Sequence, residues 1–187
     1  MEQRNDVTVT VSPSGEIIRT LPVVILRDKQ TGTVYAQDEN NGYKYSIIEL
    51  ERIADDGDPA AQCAMGDYFN CQWNYNPFAA FDWYEKSANQ NYAKAQWNMG
   101  NFYGTPRETV EEQFGKNAVV VEPDFDLAIS WFVKSANQGY LEAMFHLGGV
   151  FFMNNDLANA SKWLEKANEH GHPEAGTYLE MIRLLSR

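Results

Sequence analysis

Two kinds of hydrophobic spacing divide this chain near residue 46. In the first stretch, β-branched and apolar residues recur at every second position. Val7, Val9 and Val11 alternate with Thr8 and Thr10, the period of a strand with one buried face. Pro13-Ser14-Gly15 reads as a turn, and a β-rich run from Val23 to Leu26 comes next. Thr31-Gly32 breaks that run before Thr33-Val34-Tyr35, and Asn40-Asn41-Gly42 is a further turn ahead of Tyr43-Lys44-Tyr45. Short strands at this spacing predict a small β-hairpin or meander over residues 1–45. A segment of about forty residues buries little core alone, so it is expected to pack on the remainder of the chain.

From Ser46 onward the spacing becomes helical. Ser46 is placed as an N-cap with Glu49 three residues on, the arrangement of a capping box. Asp58-Pro59, Asn76-Pro77, Glu122-Pro123 and His172-Pro173 mark further helix starts, because proline fits the first helical turn, where its missing N–H costs nothing. Between these signals lie windows rich in alanine and aromatic residues.

Those windows repeat. One motif reads AQCAMGDYF at 61–69, AQWNMGNFY at 95–103 and AMFHLGGVF at 143–151, with a weaker copy, AGTYLEMIR, at 175–183. A second alternates with it: FDWYEKSANQNY at 81–92, ISWFVKSANQGY at 129–140 and SKWLEKANEHGH at 161–172. The first motif recurs at spacings of 34, 48 and 32 residues, the second at 48 and 32. Two motifs that share offsets define a duplicated two-helix unit. Gly66, Gly100 and Gly148 each stand five residues after Ala61, Ala95 and Ala143. A mid-helix glycine costs about 1 kcal/mol, so its recurrence implies a close approach by a neighbouring helix. Trp83, Trp131 and Trp163, each followed by Tyr84, Phe132 or Leu164, are read as the bulky side chains that fill the space between helices. Gln90-Asn91, Gln138-Gly139 and His170-Gly171 are the expected ends of the second helix.

The alternation A-x-x-x-L/M-G-x-x-Y/F, then A-x-x-W-Y/F-x-K-S/A-A-x-x-G, resembles the Sel1-like repeat family, relatives of the tetratricopeptide repeats. The resemblance covers residues 46–187, as three repeats plus capping half-repeats, and leaves residues 1–45 outside it. Asn91 stands where the family has glycine, and Glu180 replaces the recurrent glycine in the last copy. The middle repeat carries about fourteen extra residues (48 against 34), an insertion at about 104–122. The resemblance implies a mainly α fold, a right-handed α/α superhelix of helix-turn-helix repeats with a concave face, acting as adaptor or scaffold.

If the first helices line that face, 3.6 residues per turn put the exposed stripe three residues before each glycine and one and four after it. That selects Cys63, Asp67 and Asn70, then Trp97, Asn101 and Gly104, then Phe145, Gly149 and Phe152. Aromatics on an exposed groove are typical anchors for a partner. The bland alternative is that the N-terminal segment or the last helix covers them. A second candidate surface is the insertion and its flank, where Glu108, Glu111, Glu112, Glu122, Asp124 and Asp126 are diluted only by Arg107 and Lys116. Such a run is either solvated surface or a dock for a basic protein.

Charge sharpens the partner. The net charge is −11 at pH 7, and residues 47–187 hold twenty acids against ten bases. That field opposes phosphate backbones and anionic lipid, so neither nucleic acid nor membrane is expected. A hydrophobic share of 44% excludes a disordered chain. Cys63 and Cys71 form no zinc or disulfide pattern, and His170 and His172 alone make a poor metal site; no metal or cofactor is expected. The opening MEQRNDVTVT is polar where a secretory signal is apolar, which points to the cytoplasm. No phosphate-binding glycine loop, nucleophile elbow or H-E-x-x-H motif is present, and no carboxylates stand out as acid and base. The expected function is binding a protein partner with a basic surface. One form of this is a cytosolic immunity protein that inhibits a bacterial toxin; another is an adaptor in signalling or envelope assembly. The rival class is an enzyme or small-ligand binder that uses the groove.

Overall fold

The computed structural model describes residues 9–11, 17–19, 23–29, 31–39, 42–71, 74–115 and 121–185. The expected turn at 13–15, and Val7, Thr8, Asn40, Asn41 and Lys116, lie outside the described residues. The protein is mainly helical: nine helices follow five short strands among the described residues. Tertiary contacts gather it into two units, Met1–Ala95 with Glu108–Val120, and Gln96–Arg107 with Val121–Arg187.

The first unit opens with β1 (Val9–Val11) paired antiparallel to β2 (Ile17–Arg19). A separate antiparallel meander joins β3 (Val23–Arg27), β4 (Val34–Asp38) and β5 (Lys44–Ser46), with Ile25 opposite Ala36 and Ala36 opposite Tyr45. Helix α1 (Ile47–Asp55) starts at once, and Ser46 Oγ accepts the Glu49 N–H at 3.2 Å as its N-cap. Helices α2 (Pro59–Asn70) and α3 (Pro77–Asn89) begin at prolines, with Asp58 and Asn76 as N-caps. One core joins sheet and helices: Val23 and Ala36 pack with Leu50, Ala54, Ala61, Ala64 and Met65.

The boundary between the units falls within α4 (Ala93–Gly104), and the second unit takes the rest of that helix from Gln96 together with α6 (Phe125–Asn137), α7 (Leu141–Met153), α8 (Leu157–Glu169) and α9 (Ala175–Leu185). Its core gathers Phe132, Met144, Leu147, Trp163, Leu164 and Ile182 around small alanines. Two expected starts shift by two residues. The helix after Glu122-Pro123 begins at Phe125, where the Asp124 carboxylate accepts the Leu127 N–H at 2.9 Å, and the helix after His172-Pro173 begins at Ala175. The insertion also holds a helix that spacing did not predict, α5 (Arg107–Phe114), with Phe114 stacked 3.7 Å from Tyr75.

The recurring glycines are where helices meet most closely. A Cβ on Gly66 would lie 2.4 Å from the Tyr84 ring, on Gly100 2.6 Å from Phe132, and on Gly148 2.5 Å from Leu164. The side chain that enters each notch is therefore the residue after the tryptophan, which refines the expected role of the tryptophans. Trp83 and Trp131 are half-buried, and Trp163 is buried. A lysine three residues on lies over each ring: Lys86 on Trp83 at 4.0 Å, Lys134 on Trp131 at 3.8 Å, Lys166 on Trp163 at 4.4 Å. The motif's lysine is thus a cation–π cover for the tryptophan, one helical turn away. The second helices end as the sequence implies, with Asn91 (φ 66°), Gly139 (φ 88°) and Gly171 (φ 85°) in the left-handed region.

Candidate partner-binding residues

The stripe selected from the repeat register is less open than expected. Cys63 is 1% exposed and belongs to the interior, so its place on an exposed stripe is corrected. A helix whose two neighbouring faces are both covered has too narrow a free arc for three residues of every repeat.

Asp67 and Asn70 are half-buried at the end of α2. The Tyr84 hydroxyl donates to Asp67 at 2.7 Å, and Lys94 Nζ pairs with the same carboxylate at 2.8 Å. Asn70 also hydrogen-bonds the Tyr84 hydroxyl. Burial, then the Asp67 charge, pushes the Tyr84 phenol well above its ordinary pKa. Burial acts to lower the Lys94 pKa, but Asp67 outweighs it and holds the ammonium above its usual range. This network links α2 to α3 and to Lys94 in the first turn of α4, all within the first unit.

In the second unit Trp97, Phe145 and Phe152 are half-buried beside the main core. Trp97 lies 5.8 Å from Tyr140 and 5.6 Å from His146, and its indole N–H is buried with no acceptor. Phe145 stacks on His172 at 3.9 Å and meets Tyr178 of α9 edge-on at 5.4 Å. Phe152 meets Tyr178 at 5.7 Å. The last helix therefore packs on Phe145 and Phe152, as the bland alternative had it. Asn101 is half-buried, and its carbonyl accepts from the N–H and hydroxyl of Thr105.

The acidic candidates are more open. Glu108 and Glu112 on α5 are exposed and Glu111 is half-buried; Glu122, Asp124 and Asp126 are exposed. Glu122 is paired with Arg107, and Asp124 is engaged as the cap of α6. Sequence reasoning passed over two features. Met153 is 86% exposed at the end of α7, with Met181, Leu184 and Leu185 exposed on α9. An open concavity is lined by Gly42, Tyr43, Tyr45 and Glu49, residues that the sequence marks only as turn, strand and cap. Among the described residues no group of three or more His, Cys, Asp or Glu is placed to hold a metal ion. No helix among them is long and apolar enough to cross a membrane.

Helix-turn-helix units with a glycine notch, an aromatic or leucine ridge and a left-handed end define a helical-repeat protein. The Sel1 repeat family matches residues 59–92, 93–140 and 141–172, more than half of the chain, and the chain belongs to that family. Two crystal structures are similar. One is a protective antigen of uropathogenic Escherichia coli with an SLR fold, 29% identical, with a TM-score of 0.59 over 71% of this chain and 27% of that one. The other is a Sel1 repeat protein from Oxalobacter formigenes, 26% identical, with a TM-score of 0.59 over 72% of this chain and 51% of that one. The chain thus spans about a quarter and about half of those two proteins. No curated protein matches it. Sel1 repeats mediate protein–protein interactions, and proteins built from them are generally adaptors without enzymatic activity.

Proposed function

We propose that this chain binds a basic protein partner in the cytoplasm and, by covering it, neutralises a bacterial toxin as an immunity protein does. The observation that carries this reading is the acid excess of the helical part, twenty acids against ten bases over residues 47–187. A field of that sign draws a cationic partner in and favours fast, specific association. The exposed Glu108, Glu112, Glu122 and Asp126 supply contact charge on this reading. Asp67, Trp97, Phe145 and Phe152 act instead through the packing they sustain.

The test starts from the reading frame beside the one that encodes this chain. Its product is expressed with and without the chain, and growth is scored. Rescue of growth, with a complex whose association slows as salt rises, is the expected result. Glu108→Gln, Glu111→Gln and Glu112→Gln together should lower the on-rate and flatten its salt dependence, since exposed charges are screened over about 8 to 10 Å. No rescue and no complex overturns the toxin reading.

A further inference from the structure

A concavity of about 580 Å³, open to solvent, lies beside the end of the β-meander and the start of α1, lined by Gly42, Tyr43, Tyr45 and Glu49. Local geometry builds it. Gly42, at φ 72°, donates its N–H to the Asp38 carbonyl at 2.8 Å, and Asp38 donates to the Tyr43 carbonyl at 2.9 Å, closing the β4–β5 turn. Tyr43 and Tyr45 stand two residues apart, with rings 4.7 Å apart at 64°. Lys44, between them, lies over Tyr35 at 4.4 Å. Because α1 begins directly after Ser46, Glu49 falls in its first turn beside Tyr45, on the wall of the concavity.

The chemistry of this wall is that of a cation seat. Tyrosine rings present a negative face to a cation, and a nearby carboxylate adds charge. Burial chiefly raises the Tyr45 phenol pKa, and the nearby carboxylates of Asp38, Glu49 and Asp58 add to the rise. The positive end of α1 works against a cation here, and Glu49 in the first turn offsets it. A planar guanidinium can stack on a ring and donate two parallel N–H groups to one carboxylate, whereas an ammonium is a point charge. The geometry points to Tyr43, Tyr45 and Glu49 as the seat for an arginine side chain of the partner. This deepens the proposed binding of a basic protein and rests on it for the partner's character.

The seat is tested without the partner. The full chain, labelled with nitrogen-15, is titrated with acetyl-Gly-Arg-Gly-amide and with the neutral isostere acetyl-Gly-citrulline-Gly-amide. Saturable shifts of the Gly42, Tyr43, Tyr45 and Glu49 amides are expected with arginine, at least fivefold weaker with citrulline. Tyr43→Ala, a change at a residue 54% exposed, and Glu49→Gln should each weaken the arginine probe at least threefold, with the rest of the spectrum unchanged. Equal binding of citrulline, shifts spread over the acidic surface, or indifference to Tyr43→Ala overturns the seat. Growth rescue decides the toxin reading separately, so a seat that fails with rescue intact, or holds without rescue, identifies which inference is wrong.

Discussion

The ring of Phe132 lies against the bare backbone of Gly100, where an added Cβ would sit 2.6 Å from its Cδ1 and Cε1. Tyr84 meets Gly66, and Leu164 meets Gly148, in the same way. Alanine is the better helix former by about 1 kcal/mol. Crowding a packed interface costs about 1–3 kcal/mol, so Gly100→Ala should lower stability on balance. Gly149 is the internal control: it is helical, and a Cβ there would meet nothing within 4 Å. Gly149→Ala should raise the midpoint of thermal unfolding while Gly100→Ala and Gly148→Ala lower it. A rise in all three would remove the notch from the account.

Phe132 and Trp131 are neighbours in sequence with different burdens. Phe132 is 4% exposed in the core, whereas Trp131 is half-buried under Lys134. Emptying the Phe132 site should cost about 3–5 kcal/mol, and Trp131→Ala about 2 kcal/mol, in proportion to its smaller burial. Phe145→Ala should also destabilise, because it removes the stack on His172 and the contact with Tyr178. Urea unfolding of the three variants checks the order; equal losses for Trp131→Ala and Phe132→Ala would contradict it.

His146 gives the second unit a pH dependence. Burial lowers its pKa from 6.5, with Glu142 opposing and His172 reinforcing the shift. Its imidazole lies among Trp97, Phe132 and Phe145. The unfolded chain takes up the proton first, so the folded state is favoured fully above pH 6.5. That contribution falls as pH drops from there through the lower folded value. Thermal unfolding between pH 7.5 and 5 should weaken more steeply for the parent than for His146→Gln. Parallel pH profiles would show that His146 does not carry the dependence.

The repeat, its helix pairs and its left-handed ends were legible in the chain because each rests on local chemistry. Asp58-Pro59 and Asn76-Pro77 open α2 and α3 within one turn of themselves, and Gly139 and Gly171 end α6 and α8 by backbone freedom alone. Even the substitution at Asn91 was readable, since asparagine tolerates the same backbone region. Helix α5 escaped notice because eight residues rich in charge have no apolar stripe to reveal them; its visible anchor is a ring stack with Tyr75, which is distant in sequence.

The sequence by itself determined that a two-helix unit recurs, where most of its helices open to within two residues, and that the chain carries a net negative charge. Periodicity and composition are sums over neighbours along the chain, and they survive without coordinates. Tertiary structure decided which apolar positions are covered. Cys63, Phe145 and Phe152 sit on the arc that helical geometry leaves free, yet Cys63 is interior, and His172 and Tyr178 pack on the phenylalanines. It also decided that the residue after each tryptophan fills the glycine notch, and that Gly42, Tyr43, Tyr45 and Glu49 share one concavity. Exposure depends on which side chains arrive from other elements, and helical periodicity says which way a residue points without saying what meets it there.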